Sequence, residues 1–259
     1  IMSTNPSLLA PKKGNNDPLL DLTLRPKQWD EYIGQERLKK NLKILIDAAK
    51  TRREALEHVL LSGPAGLGKT SMAYLIAREM NTNLRVTSGP AIEKVGDLAS
   101  ILTNLLPNDI LFIDEAHRLN KLIEEVLYPA MESRTLDIVI GKGPSARILQ
   151  IELPPFTLIA ATTRIGLLSS PLRSRFGGIF RLDFYSTEEI GKIITRSARL
   201  LRIEMDEEAV IRLARSSRFT PRVANRLLKR TRDLAQVMEG KNFITDRIAK
   251  QTLDLMEID

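Results

Sequence analysis

At 259 residues and 43% hydrophobic content, the chain has material for two modest domains, and its 27% of charged residues is ordinary for a soluble protein. The absence of cysteine excludes disulfides and cysteine-held metals, and no apolar run reaches the ~20 residues that cross a bilayer. Lysine and arginine (39) outnumber aspartate and glutamate (32), giving +7, a charge compatible with nucleic acid that identifies no partner, since Arg212 and Arg215 follow Glu207 and Glu208 at the spacing of a solvated helix face.

Residues 1–21 read as a flexible leader without an apolar core of signal-peptide length, so the expected address is the cytoplasm. Arg25-Pro26 opens an extended stretch that ends at Tyr32-Ile33-Gly34-Gln35. Leu38, Leu42, Leu45, Ile46 and Ala49 then fall on one helical face. Runs of strand length follow at His58–Leu61, Leu84–Thr87, Ile110–Ile113, Phe156–Ala160 and Ile179–Phe184, with helical segments alternating with the first three. Short buried strands separated by helices predict a three-layer α/β/α domain with a parallel sheet, over residues 22–185. One stretch breaks the rhythm: residues 136–151, with Gly141-Lys142-Gly143-Pro144 at their centre, read as an inserted β-hairpin. From Ser186 the pattern turns wholly helical, predicting a small all-α domain over residues 186–259. Ser186 and Glu189 form a capping box, Asp206 suits the cap of the next helix, Pro221 suits a first turn, and a fourth helix follows Thr245.

Gly63-Pro64-Ala65-Gly66-Leu67-Gly68-Lys69-Thr70 matches the full P-loop pattern and lies between a strand and a helix that starts near Ser71. Its glycines let backbone N–H groups surround phosphates; Lys69 reaches the β/γ-phosphates of ATP, and Thr70 offers a hydroxyl to Mg²⁺. The apolar run Ile110–Ile113 ends in Asp114-Glu115, an aspartate placed to orient Mg²⁺ beside a glutamate placed to polarise the attacking water. Thr162-Thr163 close the next strand, where strand ends face a ligand crevice, and either hydroxyl suits a γ-phosphate sensor. Arg173 and Arg175 are candidates for stabilising transition-state charge, on this subunit's phosphates or a neighbour's. Arg222, after Pro221, starts a helix of the second domain and is placed to reach back to the nucleotide. With only His58 and His117 and no cysteine, a zinc site is not expected.

In this order the P-loop, the Asp-Glu strand, the threonine strand end, the arginine pair and the Pro-Arg lid resemble AAA+ ATPases. The strings LRPKQWDEYIGQ, TSGPAIEKVGDLASILTNL, LFIDEAHRL, EEVLYPAME, LPPFTLIAATTR, SSPLRSRFG and TPRVANRLLKR resemble the RuvB family in particular, over about Leu24–Asp259. That resemblance implies an ATP-hydrolysing motor for Holliday junction branch migration in DNA recombination and repair. It implies a homo-oligomeric, hexameric ring, a RuvA-type junction-binding partner docked on the hairpin, where Ile138 and Ile140 are candidate contacts, and duplex DNA as substrate. Leu24 and Arg25, with Tyr32 and Ile33, would contact the adenine side. Gly66, Lys69, Thr70 and Ser71 would hold phosphates and metal, and Thr162 or Thr163 would be sensor 1. Arg175 would be the arginine finger for a neighbour's ATP, accompanied by Arg173; Tyr185 would touch nucleotide at the hinge, and Pro221-Arg222 would be sensor 2. Glu132, Ser133 and Arg134 fall where the family makes a further nucleotide contact.

The sequence departs from the family at four places. Ala116 stands where an isoleucine is usual, Ser133-Arg134 replaces an aspartate and an aromatic, and Phe219 takes a glycine's place. The family's winged-helix DNA-gripping domain would lie beyond Asp259, so DNA binding by this chain is expected to be weak. Two alternatives are a non-catalytic nucleotide switch or scaffold, which Glu115 and Arg175 argue against, and another AAA+ DNA-processing ATPase such as a clamp-loader subunit, which would not share the longer strings together.

Overall fold

The computed structural model describes residues 23–140, 147–240 and 242–258; residues 1–22 and 141–146, Lys241, Asp259 and the side chains of Val139 and Ile140 lie outside the description. Helix α1 (Glu36–Arg52) buries Leu38, Leu42, Ile46 and Ala49, the stripe its periodicity predicts. Strands β1 (Val59–Ser62), β2 (Leu84–Ser88), β3 (Ile110–Asp114), β6 (Thr157–Thr162) and β7 (Gly178–Arg181) form a parallel sheet in the order β2-β3-β6-β1-β7. Helices α2 (Lys69–Met80), α3 (Val95–Thr103) and α4 (Lys121–Glu132) follow the first three strands, and the short α5 (Ser170–Arg173) follows β6.

Alternation along the inner strands splits the core in two. Val59, Leu61, Ile110, Phe112, Ile159 and Ala161 face α1 and α2, whereas Leu60, Leu111, Ile113, Leu158 and Ala160 face the layer of α3 and α4. Both faces are dry, so these strands read as unbroken apolar runs rather than alternating ones. The hairpin pairs β4 (Thr135–Ile140) with β5 (Arg147–Glu152), Ile138 opposite Leu149. Leu136 is buried, and Ile138 packs against the second core; among the described side chains of the hairpin, the apolar ones turned to solvent are Ile148 and Leu149. Of the two candidate partner contacts, Ile138 takes the inward-packed course that is commoner for an alternating hairpin residue, and the Ile140 side chain lies outside the description.

The C-terminal part packs α6 (Thr187–Leu200), α7 (Glu207–Arg215), α8 (Pro221–Glu239) and α9 (Asp246–Leu255) onto the α1/α2 face, and the first core runs unbroken into it through Leu182 and Tyr185. Ser186 and Glu189 make the expected reciprocal capping box. Asp206 makes no side-chain cap; its carboxylate instead accepts the Asp246 N–H at 3.3 Å. Nor is this part wholly helical: the extended residues leading into α7 and α9 run side by side as a parallel pair, β8 (Glu204–Met205) with β9 (Phe243–Ile244). Two residues per strand are too few to leave a periodic signature. Among the described residues no helix is long and apolar enough to cross a membrane.

Candidate active site

Because β6 lies between β3 and β1, the Thr162-Thr163 end emerges between Asp114 and the P-loop, with Thr162 in register with Ser62. The tight P-loop turn needs left-handed backbone at Gly66 (φ 84°) and Gly68 (φ 99°). At Gly66 closeness matters as well: a Cβ there would stand 3.0 Å from the Arg222 Cβ, and the Arg222 N–H donates to the Gly66 carbonyl at 3.3 Å. The bare backbone of the loop is thus where the lid helix α8 docks.

Lys69 is 6% exposed, and its Nζ donates to the Gly63 and Pro64 carbonyls at 2.8 Å each. Burial pulls its pKa below the ordinary lysine value; the pull of Asp114 opposes that shift, and Arg222 adds to it. Asp114 Oδ1 accepts the Glu115 N–H at 2.9 Å. Glu115 leaves the strand in left-handed conformation (φ 49°), uncommon for a side chain of its size and found where a turn must aim a functional group. Its carboxylate lies 3.3 Å from Arg118 Nη1.

These groups line a cleft of about 430 Å³, within the roughly 300–1,000 Å³ usual for small-molecule sites. Of the residues singled out from sequence, the cleft gathers Leu24, Arg25, Tyr32, Ile33, Gly66, Gly68, Lys69, Thr70, Ser71, Asp114, Glu115, Thr163, Tyr185, Pro221 and Arg222. The two threonines are placed differently. Thr163 is exposed on the cleft wall, whereas Thr162 is fully buried with its Oγ1 3.1 Å from His117 Nδ1.

Gly63 and Leu67 serve from behind the wall. Leu67 is fully buried, and its carbonyl accepts hydrogen bonds from the hydroxyls of Tyr32 (3.3 Å) and Tyr185 (3.1 Å). Both tyrosines are buried and hold their protons more tightly than free tyrosine, chiefly through loss of solvation. Gly34 (φ 77°) gives Tyr185 room, since a Cβ there would sit 2.8 Å from the ring. Tyr185 also donates its N–H to the Phe219 carbonyl at 3.1 Å. Phe219 keeps the left-handed backbone (φ 56°) that a glycine would adopt freely, at a cost of about 1–2 kcal/mol.

Glu132, Ser133, Arg134, Arg173 and Arg175 do not line this cleft. Arg175 Nη1 donates to the Pro171 carbonyl at 2.6 Å, and its guanidinium carbon lies 4.4 Å above the Tyr128 ring. Its Nε stands 3.1 Å from Glu132 Oε1, an ion-pair distance without hydrogen-bond geometry. Glu132, Arg134 and Arg175 share instead a second concavity with Glu57 and His58. Sequence reasoning missed Pro26, Glu31, Ala65, Ile193, Arg196 and Asn225 on the cleft wall. Ala65 sits inside the P-loop pattern itself, but the others have no local signature.

Comparison with known proteins assigns this arrangement. Residues 24–182 match the Holliday junction DNA helicase RuvB P-loop domain, and residues 185–259 match the RuvB AAA lid domain. The chain is 59% identical over 252 residues to the Holliday junction branch migration complex subunit RuvB of Dehalococcoides mccartyi (strain CBDB1), covering 97% of this chain and 72% of that protein. Among solved structures, the Thermotoga maritima RuvB Holliday junction branch migration motor is 51% identical with a TM-score of 0.82, covering 92% of this chain and 74% of its own. A point mutant of the Thermotoga protein gives a TM-score of 0.84 at 50% identity, covering 91% of this chain and 74% of its own. With both of its parts matched and a P-loop cleft between them, the chain is an ATPase and belongs to the RuvB family.

Proposed function

We propose that this chain is the motor subunit of Holliday junction branch migration, dividing near Tyr185 into an ATPase domain and a lid, and working as a hexameric ring with a RuvA-type partner and duplex DNA. A cytoplasmic address goes with that substrate. The observation that carries the reading is the separation of Arg175 from a cleft that otherwise gathers the hydrolytic groups on one chain. A finger absent from its own site is what a ring with shared sites requires.

Backbone N–H groups of the P-loop and Lys69 hold the triphosphate, helped by the N-terminal end of α2. The hydroxyl of Thr70 and the carboxylate of Asp114 are hard oxygen donors that fit Mg²⁺, with the remaining positions left to phosphate and water. Bound there, Mg²⁺ would supply charge neutralisation across the β- and γ-phosphates. Glu115 accepts a proton from water as the water oxygen bonds to the γ-phosphorus and the bond to the β–γ bridging oxygen breaks, giving ADP and phosphate. Thr163 faces the γ-phosphate. Arg222 reports the result to α8 through the Gly66 contact. On the hairpin, Ile148 (72% exposed) and Leu149 (48%) offer the apolar surface for the RuvA-type partner.

The test is complementation between two inactive variants. Lys69→Ala keeps the finger but loses the site; Arg175→Ala keeps the site but loses the finger. Each alone should hydrolyse little ATP, and an equimolar mixture should recover activity that rises with protein concentration. A mixture as inactive as its parts would refute sites shared between subunits.

A further inference from the structure

The lid reaches the cleft through a second arginine. Arg196, in the third turn of α6, donates from Nη1 to the Leu24 carbonyl at 2.9 Å, and from Nη2 to the Arg25 carbonyl at 3.5 Å and to Glu31 Oε2 at 2.6 Å. Glu31 Oε2 also accepts the Lys27 N–H at 2.8 Å, so one carboxylate both closes the turn over 27–31 and anchors the guanidinium. The rigid planar fork of an arginine suits this position, because it meets acceptors from three residues of one segment at once, and each bond is charge-assisted. The side chain is 21% exposed, so these bonds are only partly screened.

The placement of these partners is informative. Arg196, Ile193, Leu24, Arg25, Pro26 and Glu31 all line the cleft, yet no hydrogen-bond partner of Arg196 belongs to the P-loop or to a strand end. Segment 24–31 lies N-terminal to α1 and, among the described residues, pairs with no strand; its two tethered carbonyls are 172 and 171 residues from Arg196 in the chain. Arg25 also lies 4.4 Å over the Tyr74 ring of α2 and Trp29 packs on the first core, so the segment is held by packing from the ATPase domain and by polar tethers from the lid.

We propose that Arg196 is a positioning residue for the nucleotide base: it holds the Leu24–Glu31 segment in the place where that segment forms the base-side wall, so that this wall is complete only when the lid is docked. The proposal rests on reading the cleft as the ATP site and goes beyond it by giving the lid control over one half of the ligand. Base binding and lid docking then become one linked equilibrium: whatever favours the first favours the second by the same factor.

The experiment compares equilibrium binding, in the presence of Mg²⁺, of ATP and of inorganic tripolyphosphate, which has the phosphates and no base. The proteins are wild type, Arg196→Ala, Arg196→Lys and Glu31→Gln, each first shown to melt cooperatively. Arg196→Ala should weaken ATP binding by about tenfold or more and leave tripolyphosphate within about twofold, the loss expected for charge-assisted bonds acting on the base alone. Arg196→Lys should recover part of the loss, since an ammonium keeps the charge but cannot serve three acceptors. Glu31→Gln keeps both carbonyl bonds, tests the anchor separately if the alanine variant does not fold, and should show a smaller loss of the same selectivity. Equal losses for both ligands would overturn the proposal, because Arg196 would then act on the fold at large; unchanged ATP binding would overturn it too. A wild type that bound tripolyphosphate as tightly as ATP would overturn the base-side wall itself, and one that bound neither would overturn the ATP site.

Discussion

Thr162→Val and Thr163→Val, adjacent on β6, should have opposite signatures. Thr162 is fully buried, lies 3.1 Å from His117 Nδ1 and accepts the Arg164 N–H at 3.0 Å. Thr162 Oγ1 thus carries two bonds, the one with His117 running in the direction that the ring's tautomer sets. Valine keeps the shape and removes both bonds. Half-exposed His117 can turn to water, so the cost falls mainly on the Arg164 N–H, about 1–2 kcal/mol. At about 2–4 °C per kcal/mol for a chain of this size, the melting temperature should fall by roughly 2–8 °C. Thr163 is exposed on the cleft, and among the described residues its hydroxyl makes no hydrogen bond, so Thr163→Val should stay within about 0.5 kcal/mol of wild type. If that hydroxyl meets the γ-phosphate in the transition state, its loss should lower kcat by about 10²–10³, as for other single charge-stabilising donors, with KM little changed. Thermal melts and steady-state phosphate release on the two variants decide between these outcomes. A Thr163→Val protein with full turnover, or one melting several degrees low, would refute the assignment of the sensor to Thr163.

Other consequences of the geometry are as direct. Tyr32 and Tyr185 both donate to the Leu67 carbonyl, so either Phe substitution leaves that buried oxygen one donor, while the double substitution orphans it; denaturant midpoints should show each single change costing about 1 kcal/mol or less and the pair costing more than their sum. His58 is locked as a neutral ring, with Nδ1 accepting the Leu158 N–H at 2.8 Å and Nε2 left to donate to the Met131 carbonyl at 3.1 Å, and burial holds its pKa below the ordinary 6.5. The unfolded chain therefore takes up the proton first: this contribution is full above about pH 6.5 and lost as pH falls through the depressed folded value, so melts from pH 8 to 5 should decline on the acid side, and His58→Gln should reduce that slope. Tyr128→Leu removes the ring beneath the Arg175 guanidinium, worth about 0.5–1 kcal/mol at a partly exposed site, and should lower kcat several-fold while ATP affinity measured by titration stays near wild type.

The groups proposed to meet phosphate were readable from sequence because that chemistry fixes their spacing. A loop that wraps phosphates must place Gly66, Gly68, Lys69 and Thr70 within a few residues, and a strand that delivers Asp114 and Glu115 must be apolar up to its end. Groups that meet the other half of the cleft carry no such constraint. Arg196 is joined to Leu24 across 172 residues, and nothing around it in sequence separates it from Arg199 or Arg202. The hairpin shows a different limit. Alternation over Leu136–Ile140 says that two faces exist, but which side chains meet the core depends on how the hairpin leans on α4: Ile138 packs inward, whereas Leu149, opposite it in register, stays exposed. At Asp206 the residue type was right for a cap, yet its carboxylate had a competing backbone donor in Asp246, from a helix 40 residues away.

Lid attachment and lid angle rest on different forces. Apolar packing from Leu182 and Tyr185 through Ile190, Ile194 and Leu227 holds the helical part onto α1 and α2, but such packing is non-directional and tolerates a change of tilt. Direction comes from three polar tethers: Arg222 N–H to the Gly66 carbonyl, Tyr185 hydroxyl to the Leu67 carbonyl, and Arg196 to the Leu24–Glu31 segment. Two end on the P-loop and one on the opposite wall of the cleft. Each is worth about 1 kcal/mol, more for the charge-assisted one. A few kcal/mol is the scale on which a ligand with different affinities for two arrangements shifts an equilibrium between them. Under the proposed function, a lid held this way changes its angle at the cost of its polar tethers and keeps its apolar core buried.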